Sequence, residues 1–417
     1  MNISELYQLF IASSGIATDT RKIKNNSIFF ALKGANFNGN EFALKAIESG
    51  ATYAVVDEVD STKKHSKLIQ VKDVLTTLQT LANYHRKKLN IPVIALTGSN
   101  GKTTTKELIN CVLSTQYTTT ATVGNFNNHI GVPLTLLSFS DKTEIGIVEM
   151  GANHQKEIEL LCSIAEPNFG YITNFGKAHL EGFGGVEGVI KGKSEIYTYL
   201  QKNEKTAFVN PEDHIQVSKT ENITSINFYE NITLLDSNPF LEIALDKTRI
   251  KTNLIGTYNF SNIKAAITIG KHFKITTEQI KSAIENYTPD NNRSQIIEKK
   301  GTKIILDAYN ANPTSMKAAL DNFSRMSSAN KVVILGDMFE LGVDSEKEHQ
   351  DIVEYAQSLD FEQLHFIGEH FSKVKTSKGN LHTSFEAFSK SFEPTPCTYL
   401  IKGSRGMALE RTLALFD

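Results

Sequence analysis

Apolar residues along the chain fall into two recurring patterns. Short unbroken runs, IPVIAL at 91–96, IGIVEMG at 145–151 and FGYITNFG at 169–176, have the length of buried strands and close on glycine or a polar residue. Helical periodicity fills the intervals between them, and the alternation predicts a parallel sheet flanked by helices. Upstream, SIFFALKG at 27–34, YAVV at 53–56 and the periodic stretch VLTTLQTLANYH at 74–85 predict a small α/β unit. Downstream, the polar stretch NYTPDNNRS at 286–294 interrupts the periodicity. Beyond it, KIILDAY at 303–309, KVVILGD at 331–337, QLHFIG at 363–368 and TYLIKGS at 398–404 predict a third α/β unit with polar residues at the carboxyl ends of its strands, where open sheets bind ligands. The expected class is α/β, with domains at 1–88, 89–290 and 291–417 and a doubly wound sheet in the central one. No internal repeat or low-complexity tract interrupts this order.

Length and charge narrow the function. A chain of 417 residues with 40% hydrophobic and 22% charged positions is long enough for two or three cores and is neither disordered nor fibrous. The net charge of −2 leaves no global positive field to collect a phosphate backbone, so no nucleic-acid partner is expected. Cys111, Cys162 and Cys397 are too few and too scattered for a disulfide framework, which fits a reducing compartment. The N-terminal MNISELYQLFIASSG has no basic segment of the secretory kind, and no apolar run approaches the roughly 18 residues of a spanning helix. A cytoplasmic location without a membrane partner is the expectation.

The sharpest chemical signal is Gly98, Ser99, Asn100, Gly101, Lys102, Thr103 and Thr104, directly after the run ending at Leu96 and Thr97. Glycines let backbone N–H groups close around phosphate oxygens at a helix start, Lys102 offsets phosphate charge, and Thr103 places a hydroxyl where Mg²⁺ would sit. The generic P-loop pattern wants glycine at position 96, where this chain has leucine. Glu149 and His179 each follow an apolar run and could reach a metal or its waters, although a lone His after a strand is more often structural and Glu149 alone reads as a solvated strand end. Lys191 and Lys193, taken in isolation, read as surface residues. Asn259 and Asn262 lie at i, i+3 spacing at a helix start, where helix capping competes with hydrogen bonding to a nucleotide. Arg293 stands at the domain boundary. Asp307, Tyr309, Asn310 and Asn312 crowd the turn before Pro313. Tyr258 and Tyr309 could stack on a base or fill the core.

Taken in order, these segments resemble the Mur ligases, ATP-dependent amide-bond-forming enzymes of bacterial cell-wall synthesis. The resemblance rests on TGSNGKTT at 97–104, NFNNHIGVP at 125–133, EMG at 149–151, AHLEGFG at 178–184, KGKSEIY at 191–197 and GTYNFSN at 256–262, and covers nearly the whole chain. DAYNANPTSM at 307–316 with LGDMFELG at 335–342 is similar to the members that add D-alanyl-D-alanine to UDP-N-acetylmuramoyl-tripeptide. TDTRK at 18–22 and FFALKGANFNG at 29–39 agree, and the DNPR-type sequence of the diaminopimelate-adding relatives is absent. One departure is Leu306, where a second acid beside Asp307 would be expected.

The resemblance implies a three-domain architecture: an N-terminal UDP-substrate domain, a central P-loop ATPase domain and a Rossmann-like C-terminal domain. It implies ATP and two Mg²⁺ ions as cofactors. Lys102 would hold the ATP phosphates, Thr103 and Glu149 would bind one Mg²⁺, and His179 would help bind the second together with Lys193, carbamylated by CO₂. Asn259 and Asn262 would face the nucleotide, with Arg293, Asp307, Tyr309 and Asn312 approaching ATP from the third domain. Thr20, Arg21, Lys33 and Asn38 would serve the uridine diphosphate end, and Asn127 and Asn128 the muramoyl-peptide path. The implied reaction passes through an acyl phosphate to UDP-N-acetylmuramoyl-pentapeptide, with domain closure about a hinge near 286–294. A monomer is expected. The base that deprotonates the incoming amine, and whether the tripeptide ends in lysine or diaminopimelate, stay open. So do two rival readings, a nucleotide-dependent switch and a superfamily ligase for another amino acid or a polyglutamate.

Overall fold

The structure, a computed structural model, describes residues 1–58, 65–290, 292–328 and 330–417. Asn291, inside the stretch expected to act as a hinge, lies outside the described residues. In the N-terminal domain a parallel four-stranded sheet runs Ile16–Ala17, Ile28–Phe30, Tyr53–Val56, Leu68–Gln70. The helix Val74–Leu89 follows. Asp73 caps its first turn by accepting from the Thr76 N–H at 2.6 Å, and Asn90 in the left-handed region ends it behind the cationic Arg86, Lys87 and Lys88. Leu78, Leu81 and Ala82 on its inner face share one core cluster with Val132, Leu136 and Leu161 of the central domain. The buried Arg86 reinforces this seam, donating to the Ala165 carbonyl at 3.0 Å and to Asn168 at 2.8 Å.

The central sheet has six parallel strands in the order Thr224–Asn227, Thr206–Val209, Phe169–Ile172, Val93–Thr97, Ile145–Glu149, Thr119–Ala121. Val93–Thr97 lies inside the sheet and is buried at every position, which is why it reads as one apolar run. Chain order reverses beside it, so its carboxyl end opens onto the crevice where doubly wound sheets bind ligands. The parallel sheet expected for this domain is present, and a second sheet that the sequence reading did not anticipate lies beside it. Ile232–Asp236, Phe240–Leu245 and Thr248–Ile255 form a separate antiparallel sheet, whose inward Leu241, Ile243, Leu245 and Ile250 pack in one cluster with Ile280 and Ile284 of the helix Thr277–Asn286.

The C-terminal sheet runs Gln295–Lys299, Thr302–Asp307, Thr398–Lys402, Lys331–Gly336, Gln363–Ile367, Asn380–His382, antiparallel in its first pair and parallel elsewhere. The carboxyl ends of its middle strands deliver Asp307, Lys402 and the loop after Gly336 to one edge. All three cysteines are free thiols, Cys162 buried beside Met150. No helix among the described residues is long and apolar enough to cross a membrane.

Candidate functional site

The loop after Val93–Thr97 turns through Gly98 at φ +143° and Gly101 at φ +79°, then enters the helix Lys102–Leu113. Gly101 tolerates nothing larger, because a Cβ there would stand 2.7 Å from Asn262 Oδ1. Thr105 donates to that same oxygen at 3.0 Å, Asn262 donates to Asn259 Oδ1 at 2.8 Å, and Asn259 donates to the Ile255 carbonyl at 2.8 Å. The two asparagines therefore prop the loop through a buried amide chain. Neither caps its helix, which has no side-chain cap bond. Lys102 Nζ donates to the Gly98 carbonyl at 2.6 Å. Burial pushes its pKa down; the Glu149 carboxylate opposes the shift and the Arg293 cation adds to it.

Glu149 ends its strand almost fully buried, accepting from Thr103 Oγ1 at 2.9 Å and from Asn127 Nδ2 at 2.8 Å. Asn128 lines the same space, and its Oδ1 accepts the Gly131 N–H at 2.9 Å. Lys191 is exposed, but the surface reading of Lys193 fails. Lys193 is 0% exposed, with Nζ donating to the Ala152 carbonyl at 3.1 Å and lying 5.0 Å from the centre of the Phe183 ring. Burial drives its pKa well below the ordinary lysine value, and nearby Lys102 pushes in the same direction against Glu157 and Glu195. His179, in the left-handed region at φ +54°, pairs through Nδ1 with Glu340 of the C-terminal domain. That contact holds the Glu340 carboxyl below its usual range.

The third domain closes the opposite wall. Asn312 caps the helix Pro313–Arg325 by accepting from the Ser315 N–H at 2.9 Å, and its Nδ2 donates to Asn100 Oδ1 at 2.7 Å. Asp307 accepts from Lys402 Nζ at 2.6 Å and from the Ser294 N–H at 3.0 Å. Leu306 is fully buried in the apolar cluster of its sheet, so this strand offers Asp307 alone at its end. The Tyr309 ring lies under two guanidinium groups, Arg293 at 3.6 Å and Arg405 at 4.9 Å. Tyr258 bonds to Ser294 Oγ at 2.6 Å and lines the space with Tyr309, so both tyrosines face the cavity.

These groups meet around one cavity of about 940 Å³. Its wall includes Ser99 to Thr104, Asn127, Asn128, Glu149, His179, Asn259, Asn262, Arg293, Asp307, Tyr309 and Asn312. Gly98 and Lys193 stand behind the wall rather than in it. Thr20, Arg21, Lys33 and Asn38 are elsewhere, on the N-terminal domain. There Arg21 pairs with Asp19 at 2.8 Å, Lys33 with Asp57 and Glu58 at 3.1 Å each, and Asn38 donates to Glu58 at 2.8 Å. Reading the sequence missed Phe339, Glu340, Lys402, Ser404 and Arg405, which line the same cavity. The available signal was LGDMFELG and KGSR, each just past an apolar strand.

Comparison with known proteins finds relatives along nearly the whole chain. Family models match in three consecutive stretches: the Mur ligase family catalytic domain over residues 13–86, the Mur ligase middle domain over 96–270, and the Mur ligase glutamate ligase domain over 292–390. The chain is 34% identical to the UDP-N-acetylmuramoyl-tripeptide–D-alanyl-D-alanine ligase of Bacillus subtilis, across 95% of this chain and 91% of that one. Among solved structures it is similar to MurF from Acinetobacter baumannii, with a TM-score of 0.84, 29% identity and 98% of each chain covered. It is also similar to the MurF ligase of Thermotoga maritima in complex with ADP, with a TM-score of 0.85, 25% identity and 96% of each chain covered.

Proposed function

The chain belongs to the Mur ligase family, and from that premise we propose that it joins D-alanyl-D-alanine to UDP-N-acetylmuramoyl-tripeptide, converting ATP to ADP and phosphate. The observation that carries the reading is the single cavity in which the phosphate loop, the Thr103–Glu149 pair and the third-domain groups Asp307, Lys402 and Arg405 face one another.

A carboxylate is a poor electrophile, and its oxygen is a poor leaving group. Attack of the tripeptide's terminal carboxylate on the γ-phosphorus forms one P–O bond and breaks the bond to ADP, leaving an acyl phosphate. The dipeptide amine then adds to the acyl carbon, phosphate leaves with the C–O bond pair, and the amine loses a proton. Lys102 and the loop N–H groups hold the phosphates, and Arg293 over Tyr309 brings a second cation to the nucleotide side. Asn259 and Asn262 keep the loop in its phosphate-accepting shape. Asn127 and Asn128 border the path of the muramoyl peptide, and Thr20, Arg21, Lys33 and Asn38 serve the uridine diphosphate end.

The donors fit a hard cation. The Thr103 hydroxyl and Glu149 carboxylate are adjacent oxygens, the kind Mg²⁺ takes one or two at a time beside phosphates and water. Thr103 and Glu149 would hold one Mg²⁺, and His179 with a carbamate on Lys193 would hold a second. The ions, when bound, supply charge neutralisation for phosphoryl transfer. Lys193 suits the carbamate role because its buried amine is poised to be neutral, the form that reacts with CO₂. The domains are taken as 1–88, 89–290 and 291–417, closing about 286–294 to exclude water from the acyl phosphate. A cytoplasmic monomer acting on small molecules completes the reading.

The test is phosphate release from Mg-ATP with UDP-N-acetylmuramoyl-tripeptide, with and without D-alanyl-D-alanine, followed by mass spectrometry. Release that needs both substrates, with a product carrying the added dipeptide, supports the proposal. Turnover indifferent to the dipeptide, or ligation only of another acceptor, refutes it.

A further inference from the structure

Two parallel neighbouring strands, Lys331–Gly336 and Thr398–Lys402, end side by side, and the loops that leave them are tied together. Buried Ser404 donates its N–H to the Asp337 carbonyl at 3.1 Å and accepts the Phe339 N–H on Oγ at 3.0 Å. Asp337, also buried, accepts the N–H groups of His370 at 3.0 Å and Phe371 at 2.9 Å, so the base of the loop is fixed from both sides. Gly406 lies against the Phe339 ring: a Cβ there would stand 2.7 Å from Phe339 Cε2. The ring is nonetheless 40% exposed, an apolar face turned toward the cavity.

Arg405 stands between these elements and reaches over the Tyr309 ring. Among the described residues it has no carboxylate within ion-pair distance, unlike Lys402 three residues earlier, which is neutralised by Asp307. The cavity thus holds two guanidinium groups on one tyrosine. Arg293 is the one whose charge bears on Lys102 and hence on the phosphates. Arg405 is left next in chain to Gly406, which packs on the Phe339 ring, and both line the cavity. A cation without a counter-ion, next to an exposed ring, is complementary to a small carboxylate carrying apolar side chains.

We infer that Arg405 binds the terminal carboxylate of the acceptor dipeptide, whose methyl groups lie on Phe339, making Arg405 the residue that selects a free carboxyl end. This rests on the ligase reading above. A charge-assisted bond of this kind, removed from one partner, weakens binding by about tenfold or more.

The test is steady-state kinetics of the wild type, Arg405→Ala and Arg405→Lys with D-alanyl-D-alanine and with its C-terminal amide, D-alanyl-D-alaninamide, each variant first shown to melt like the wild type. The wild type should prefer the free acid at least about tenfold in kcat/KM. Arg405→Ala should lose that preference and raise the dipeptide KM while leaving the ATP KM within about twofold, and Arg405→Lys should recover part of it. Equal use of acid and amide by the wild type overturns the inference, as does a preference that survives Arg405→Ala or a change confined to the ATP KM. A wild type that ligates neither dipeptide overturns the ligase reading itself, which the acid-to-amide ratio separates from a failure at Arg405.

Discussion

Asn312 carries two separable duties, and substitution can part them. Its Oδ1 caps the helix Pro313–Arg325, while its Nδ2 reaches across to Asn100 in the phosphate loop. Removing a side-chain cap costs about 1 kcal/mol. A neutral hydrogen bond between domains contributes a further 0.5–1.5 kcal/mol or so. Asn312→Ala loses both. It should speed hydrogen exchange at the Ser315 amide by roughly fivefold, for a cap of about 1 kcal/mol, and raise the ATP KM by about two- to tenfold. Asn312→Ser keeps an oxygen able to cap but is too short to reach Asn100, so exchange at Ser315 should stay within about twofold of wild type while the ATP KM rises as in the alanine variant. Hydrogen–deuterium exchange resolved to the 313–325 helix, with ATP saturation curves on the same preparations, reads the two effects independently. If Asn312→Ser frays the helix as much as Asn312→Ala, the cap assignment is wrong. If both variants keep the wild-type ATP KM, the link to Asn100 does not act in nucleotide binding.

Three further outcomes follow from the same geometry. Gly101→Ala places a side chain in the left-handed region, costing roughly 1–2 kcal/mol, and drives it against Asn262; nucleotide affinity measured by calorimetry should fall far more than melting temperature, and unchanged affinity would contradict the loop geometry. Lys193→Met should be more stable than wild type at pH 7 in CO₂-free buffer. The folded pKa of Lys193 is depressed, so the unfolded chain binds the extra proton and wild-type stability rises with pH toward the unfolded value near 10.4; urea titrations at pH 7 and 9.5 would show the two proteins converging, and a less stable variant at pH 7 would refute the account. Burial beside His382 lowers His365 to about 4, so the stability its neutral ring supports is present above the unfolded value near 6.5 and drains as pH falls through 4; His365→Phe should flatten acid unfolding of the C-terminal domain between those limits, monitored by tryptic susceptibility.

The strands that build the site were legible because they are buried on both faces. VIALT, IGIVE and KVVILG are continuous apolar runs, and the polar residue that follows each marks its functional end. The antiparallel sheet at 232–255 was hidden for the opposite reason. Ile232–Asp236 buries only its first residue, leaving no run to recognise. The phosphate loop was visible because its local sequence alone makes it chemical, whereas Glu149 and His179 gained meaning only from their order along the chain. Lys193 was not, since a lysine in a helical stretch gives no hint that Phe183 and Ala152 will enclose it. Arg405 and Glu340 escaped because neither is remarkable until two distant strands, paired in register, set their ends side by side.

The prop beneath Gly101 also sets a clock on synthesis. Asn262 lies 157 residues beyond Thr105, the residue in the first turn of the helix after the loop from which it receives a hydrogen bond. At about 5–20 residues per second a ribosome needs roughly 8–30 s to supply it after the phosphate loop has been made. Through that interval the nascent chain carries its GKTT segment without the amide chain that shapes it, and the strand Val93–Thr97 waits as well for Phe169–Ile172 to cover its second edge. The nucleotide site of this protein is therefore a late product of translation: ATP in the cell can meet it only once the helix Tyr258–His272 has emerged and docked.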